Sequence, residues 1–403
     1  MTSSAARTDT TDWMAVTDRY FMTTGRRFPV TIVRGSGSRL FDDAGKSYLD
    51  FLAGIAVVSL GHANPVVVNA IREEAENLIL ASNNFYTVPQ ARLARLLCEL
   101  SGMERIYFQN GGAEANEVAF KLVRKWGKTQ KAGAFEIIST ENSFHGRTLG
   151  AVAATGTARY REPFEPLPGG FKFVPYGDIE ALKAATTPLT CGILLECIQG
   201  EAGVLMPPAG YLKEVRRWCG EQNIALILDE VQTGIARTGK MFAFEQDGIQ
   251  PDIMTLAKGM AGGVPVGAAL CNKKLDVFEP GDHGSTFGGN NLSTGVAFAV
   301  ISHIVESGLV AEVAEKGEYL LGKLRSLEDR YDFVKDARGV GLLCAIELDR
   351  PAASAVTQYG LEHGLIVSQV RDSILRLIPP LTVSKQEIDE AVEILDGALM
   401  SID

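Results

Sequence analysis

From about residue 105 the chain alternates short, continuous apolar runs with stretches in which apolar residues recur every three or four positions. The runs are RIYF (105–108), FEIIS (135–139), KFVP (172–175), GILLE (192–196), ALILD (225–229), IMTLA (253–257) and GAALC (267–271). They are mostly apolar throughout rather than alternating, as in strands covered on both faces. Val118, Ala119, Leu122, Val123 and Trp126 form one helical stripe, and YLKEVRRWCGEQ, after Pro207-Pro208, starts another. Strands and helices in alternation predict an α/β fold with a mostly parallel sheet and helices on both sides. Ligands of such sheets bind beyond the carboxyl ends of the strands. Asp229-Glu230 and Ala257-Lys258 stand at two of those ends.

The ends of the chain read differently. Residues 30–52 suggest a pair of strands around the turn DDAGK (42–46), a long helical stretch lies near 290–330, and a mixture of strand and helix follows. Both ends together are expected to form a smaller α+β domain (21–75 with 305–403) beside a large domain (76–304). Residues 1–20 are set apart as an N-terminal arm, and its start, MTSSAARTDTTDW, is expected to be disordered. Neither an internal repeat nor a low-complexity linker is present.

Composition narrows the partners. The 403 residues are 46% hydrophobic with a net charge of −10, which argues against nucleic acid or an anionic membrane as partner. No 18-residue apolar stretch exists, and MTSSAARTDTTDW, with Asp9 and Asp12, lacks the apolar core of a secretory leader. Cys98, Cys191, Cys197, Cys219, Cys271 and Cys344 form no CxxC pair and are expected as reduced thiols in the cytoplasm.

Among motifs, GIARTGKM (234–241) has the spacing of a nucleotide-binding P-loop but ends in Met241, where a Mg²⁺-binding hydroxyl is needed. No GxGxxG opens a helix. His62, His145, His283, His303 and His363 lack metal-ligand spacing, so they are read as structural and no metal is expected. QNGGAEANEVAFKLVRKW (109–126) is a better anion site: a strand ends, glycines turn, and the free amides and dipole of a helix favour a phosphate. A lysine in apolar surroundings such as Lys258 can have a lowered pKa and form a Schiff base. A carboxylate such as Asp229 can keep a pyridine nitrogen protonated. Phe144 in SFHGRT offers a face to stack on a ring, with Arg147 close by. Phosphate turn, acid, lysine and aromatic together point to pyridoxal phosphate.

The chain resembles the class III aminotransferases, pyridoxal-phosphate enzymes of fold type I. The resemblance spans nearly its whole length and is carried by LGHANP, NGGAEAN, SFHGRTLGAVAATG, ECIQGEAGV, LDEVQTGIARTGK, PDIMTLAKGMAGGVPVGA and GDHGSTFGGN. It implies an aspartate-aminotransferase-like fold with a seven-stranded sheet and a homodimer whose active sites lie at the interface. Lys258 would bind the cofactor covalently, Asp229 would face its pyridine nitrogen, and Gln232, within the Glu230-Val231-Gln232 segment, would reach its phenolic oxygen. Phe144 would stack on the ring, Gly112 and Ala113 would hold the phosphate, and Thr286 with Ser285 would arrive from the neighbouring subunit. Arg147 would hold one substrate carboxylate and Arg376 another, with Glu201 masking Arg376 in one half-reaction.

The donor implied is N-acetylornithine and the acceptor 2-oxoglutarate, a step of arginine biosynthesis. Succinylornithine, ornithine and 4-aminobutyrate are alternative donors, and a racemase or aminomutase is an alternative chemistry. Departures from the family pattern are Gly111 in place of Ser or Thr, Cys197 before IQGE, and Asn291 after GGN. Gly111 would remove a phosphate contact of roughly 1.5–3 kcal/mol. The two tyrosines of ornithine-specific members align near Gly25 and at Ile55.

Overall fold

A computed structural model describes residues 11–403. The seven apolar runs form one seven-stranded sheet. Its spatial order is Arg105–Gln109, Gly267–Cys271, Ile253–Leu256, Ala225–Asp229, Thr190–Glu196, Glu136–Thr140, Phe171–Val174. Only Gly267–Cys271 runs antiparallel to its neighbours. Every residue of Thr190–Glu196, Ala225–Asp229, Ile253–Leu256 and Gly267–Cys271 is buried, whereas the edge strands are partly open. This is why the central runs are apolar without alternation. The Gly112–Gln130 helix buries Val118, Ala119, Leu122, Val123 and Trp126 against the sheet.

Around this sheet both ends of the chain fold together. Residues 30–52 hold three strands rather than two, Ile32–Ser36, Arg39–Asp42 and Ser47–Asp50. Leu365–Ile366 adds in parallel to the third, with Leu49 opposite Leu365. An antiparallel sheet of Val334–Val340, Leu343–Leu348, Ile374–Leu377 and Ser368–Arg371 packs on the Leu309–Glu328 helix. The helical stretch near 290–330 is two helices, Asn291–Glu306 and Leu309–Glu328, bent by 70°. Gly308, at φ +75°, takes the left-handed conformation that lets the chain turn. The expected boundary at residue 75 falls inside the Pro65–Asn77 helix, which packs on Asn291–Glu306.

Of the N-terminal arm, only residues 11–20 are among the described residues. Residues 1–10 lie outside the described residues, but Trp13–Tyr20 is a helix capped by the Asp12 side chain, with no buried residue. Among the described residues no single helix is long and apolar enough to cross a membrane.

Candidate active site

Asp229 and Glu196 end adjacent parallel strands in direct register, and both face a cavity of about 460 Å³ beyond the sheet's carboxyl edge. Three donors hold Asp229. Asn116 Nδ2 donates to its Oδ2 at 2.8 Å, the Val231 amide donates to its Oδ1 at 3.0 Å, and His145 Nδ1 lies 2.8 Å from Oδ2. Among the described residues His145 Nε2 has no hydrogen-bond partner. Asn116 is itself fixed: its Oδ1 accepts from Thr255 Oγ1 at 2.8 Å and its Nδ2 also reaches the His145 carbonyl at 2.8 Å.

Lys258 follows the Ile253–Leu256 strand through Ala257 and lines the same cavity. Its φ of +32° is a left-handed conformation that a side-chain-bearing residue adopts at a cost, held here by the surrounding packing. Burial pushes the Lys258 ammonium below its ordinary range and Arg376 adds to this, against Glu201, Asp229 and Glu196. A lysine so placed is readily a free amine.

The Gly112–Gln130 helix points its N-terminus at the cavity, where Gly111, Gly112 and Ala113 are lining residues. No side chain caps this end; Glu114 instead folds back to accept from the Asn110 amide at 2.7 Å. Uncapped amides at the start of a 19-residue helix suit a phosphate. Gly112 is required by crowding, because a Cβ would stand 2.7 Å from Val231 Cγ1. At Gly111 a Cβ would meet nothing within 4 Å, so the missing hydroxyl leaves open space. Phe144 lines the cavity, and its amide donates to Glu196 Oε1 at 3.0 Å. Burial, with Asp229 adding to it, pushes the Glu196 carboxyl up to about 7, against His145, the Phe144 amide and Lys258.

On another wall Arg376, fully buried on the Ile374–Leu377 strand, donates from Nη1 to Glu201 Oε1 at 2.6 Å and to Gln232 Oε1 at 3.1 Å. Glu201 and Gln232 line the cavity, and Arg376 lies behind them. Gly200 permits this, since a Cβ there would fall 1.9 Å from Gln232 Oε1. Burial raises the Glu201 carboxyl, but Arg376, Lys258 and the hydrogen bonds outweigh it and hold Glu201 below its ordinary range. Arg147 is exposed at the mouth, its guanidinium 3.8 Å from the Tyr160 ring centroid.

Lys258, Asp229, Gly112, Ala113, Phe144, Val231, Gln232, Arg147 and Glu201 thus share one cavity. Other expected residues stand elsewhere. Glu230 was expected at the cofactor, yet its carboxylate accepts from the Ala243 and Phe244 amides at 3.0 and 2.9 Å and from Thr233 Oγ1 at 2.5 Å. It ties down the loop after the strand instead of lining the cavity. Ser285 and Thr286 also stay away from this cavity. They sit on a loop held by Asn83, which donates to the Ser285 and Gly288 carbonyls, both at 2.9 Å, and Thr286 is exposed.

Three contributors escaped the sequence reading: Asn116, His145 and Glu196. Each had a signal. Asn116 is one helical turn beyond Gly112, on the same face, His145 adjoins Phe144, and Glu196 ends an apolar run as Asp229 does. The residues present fit pyridoxal phosphate: free helix amides, an oriented buried carboxylate, an aromatic face and a depressed lysine.

These features define an aminotransferase-like site at the carboxyl edge of an α/β sheet. The family model Aminotransferase class-III matches residues 20–399, and the chain belongs to that family. It is 47% identical over 385 residues to acetylornithine aminotransferase of Caldanaerobacter subterraneus subsp. tengcongensis, covering 95% of this chain and 98% of that one. Among solved structures, ornithine aminotransferase from Toxoplasma gondii, with partial occupancy of PLP at its active site, superposes with a TM-score of 0.93 at 34% identity, covering 97% of this chain and 94% of that one. Acetylornithine aminotransferase from Elizabethkingia anophelis gives 0.86 at 33% identity, covering 96% and 98%.

Proposed function

We propose that the protein moves the terminal amino group of N-acetylornithine to 2-oxoglutarate, giving N-acetylglutamate 5-semialdehyde and glutamate, a step of arginine biosynthesis. The observation that carries this reading is the buried Arg376 held behind Glu201. A transaminase of this kind must accept a donor that reacts far from its carboxylate and glutamate, which reacts at its α-carbon. One arginine, paired in one half-reaction and free in the other, meets both demands because a bidentate carboxylate clamp is strong and directional.

Pyridoxal phosphate, when bound, supplies an electron-withdrawing ring and a carbonyl that carries the amino group between substrates. The chain's residues do the rest. The Gly112 and Ala113 amides would hold the phosphate, with Ser285 and Thr286 reaching it or the substrate from a second subunit. Phe144 would support one face of the ring, and Gln232 would meet its phenolic oxygen. Asp229, fixed in place by Asn116, His145 and the Val231 amide, would hold a proton on the ring nitrogen. Lys258 Nζ would bind the cofactor and then move a proton at the reacting carbon of the amine. Arg147 would take the α-carboxylate of the acyl-ornithine.

A homodimer is supported by the exposed Phe85, Tyr86 and Phe287, which lie on the two segments that Asn83 joins at the loop carrying Thr286. A cytoplasmic setting is supported by six free cysteines. The acyl amide is favoured over free ornithine by the alignment alone: Ile55 stands where ornithine-specific members have a tyrosine, though here it is exposed and does not line the cavity. Half-reaction kinetics followed by the cofactor's absorbance should give kcat/KM at least about tenfold higher for N-acetylornithine than for ornithine. Equal efficiencies would overturn the substrate while leaving an aminotransferase.

A further inference from the structure

We propose that Arg338 is a positioning residue for Glu201. It straps the turn that carries Glu201 to the C-terminal antiparallel sheet, so that Glu201 leaves and regains Arg376 by side-chain rotation over a fixed backbone. This rests on the reading of Glu201 and Arg376 given above.

Residues 199–205 form a closed turn with Glu201 on it. Gln199 and Leu205 exchange amide-to-carbonyl bonds at 3.1 and 3.0 Å. The Gly203 and Val204 amides donate back to the Gly200 carbonyl at 3.3 and 3.4 Å. Val204 is fully buried at φ +55°. The left-handed region is unfavourable for a β-branched residue, so the surroundings must hold it there. Gly203 precedes it at φ +101°, and a Cβ there would stand 2.7 Å from Ile374 Cδ1. Val204 itself packs in one cluster with Ile374 and Ile378, two residues to either side of Arg376.

The sheet meets this turn with a row of side chains. Arg338 stands opposite Ala345, and Ala345 stands opposite Arg376. Residues paired across an antiparallel ladder share a face, so two arginines flank one small alanine. Both reach the turn. Arg376 takes the Glu201 carboxylate at 2.6 Å. Arg338 donates to the Gly203 carbonyl from Nη2 at 2.8 Å and from Nε at 3.0 Å, and to the Val204 carbonyl from Nε at 3.2 Å. Arg371 adds a bond to the Ala202 carbonyl at 3.1 Å. The three carbonyls that follow Glu201 thus all end on guanidiniums of one sheet.

The remaining edge of Arg338 is engaged elsewhere. Its Nη1 donates to Asp336 Oδ2 at 2.6 Å and to Glu347 Oε2 at 2.7 Å. With two carboxylates of its own, Arg338 does not compete for Glu201, and its planar fork is aimed at the carbonyls. One arginine of the row holds the turn, and the other is free to exchange its partner. A fixed backbone gives Glu201 a single place to return to once a substrate carboxylate leaves Arg376. Without Arg338, Val204 can relax out of its left-handed conformation. Glu201, three positions earlier, then loses its alignment with Arg376.

The test compares the glutamate and N-acetylornithine half-reactions on the holoenzyme. Arg338→Gln removes the strap, and Arg338→Lys keeps a charge for Asp336 and Glu347 while losing the fork. Each variant is expected to raise the glutamate-to-acetylornithine ratio of kcat/KM by about threefold. Binding of glutarate, an unreactive dicarboxylate, should tighten by a similar factor in calorimetry, with no turnover involved. In a Glu201→Ala background neither variant should move either quantity, because the strap then has nothing to position. A merely structural role would act equally in both backgrounds, and that result would overturn the proposal. Failure of the two levels can be told apart. If Glu201→Ala raises the ratio and neither Arg338 variant does, the strap alone falls. If Glu201→Ala leaves the ratio unchanged, the exchange at Arg376 falls and the strap falls with it.

Discussion

Two carboxylates face the same cavity and are held in opposite ways. Asp229 is only 4% exposed and takes bonds from Asn116, His145 and the Val231 amide, and Asn116 is locked in turn by Thr255. Glu201 is 27% exposed and relies on Arg376 at 2.6 Å, with only a marginal 3.4 Å contact from Gln232 Nε2. A carboxylate bonded by three groups, one of them locked in turn, is held rigidly. The Arg376 guanidinium is buried and needs a carboxylate partner, but one arriving through the cavity can take the place of the partly exposed Glu201. One acid is built to keep its position through a reaction cycle, and the other is built to let go.

Removing the fixed acid should have the largest effect. Asp229→Ala deletes the carboxylate that would hold a proton on the ring nitrogen and leaves Asn116 and His145 facing nothing. The amine half-reaction should slow by at least about a thousandfold, equivalent to roughly 4 kcal/mol of barrier. Single-turnover absorbance measurements would show this, and a change below about tenfold would mean that Asp229 has no such role.

A third acid sharpens the contrast. Glu196 sits in register with Asp229, but among the described residues its carboxylate accepts from the Phe144 and Gly200 amides, at 3.0 and 3.3 Å, and forms no ion pair. Burial, the main cause, raises its carboxyl from 4.5 to about 7. The folded chain then binds this proton more tightly than the unfolded chain. Stability from the group is complete below the unfolded value and is lost as pH rises through about 7. Glu196→Gln removes that titration, so the variant should gain on wild type above neutrality by up to roughly 3 kcal/mol and show no such gain in mild acid. Parallel melting curves at the two pH values, at equal cofactor loading, would check this. A difference that does not depend on pH would refute it.

The sheet was legible because burial on both faces writes continuous apolar runs, and the positions of Asp229 and Lys258 followed from where those runs stop. The N-terminal region was harder. Three short strands, partly exposed and closed by Leu365–Ile366 from the far end of the chain, leave no strong periodicity, so only a pair was read. Glu230 was misplaced for a related reason. Successive residues at a strand end point in opposite directions, so the neighbour of a cavity-facing Asp229 turns to the Ala243 and Phe244 amides. His145 looked structural because a lone histidine carries no spacing signal, and its role depends on a carboxylate 84 positions away.

The exchangeable acid tests the account most directly. In Glu201→Ala the Arg376 guanidinium loses its 2.6 Å partner and should be open to the α-carboxylate of glutamate at all times. Stopped-flow rates of the glutamate and N-acetylornithine half-reactions, measured on the same preparation, give the decisive ratio. The account predicts that glutamate gains on acetylornithine by about tenfold, close to 1.4 kcal/mol. An unchanged ratio would contradict it.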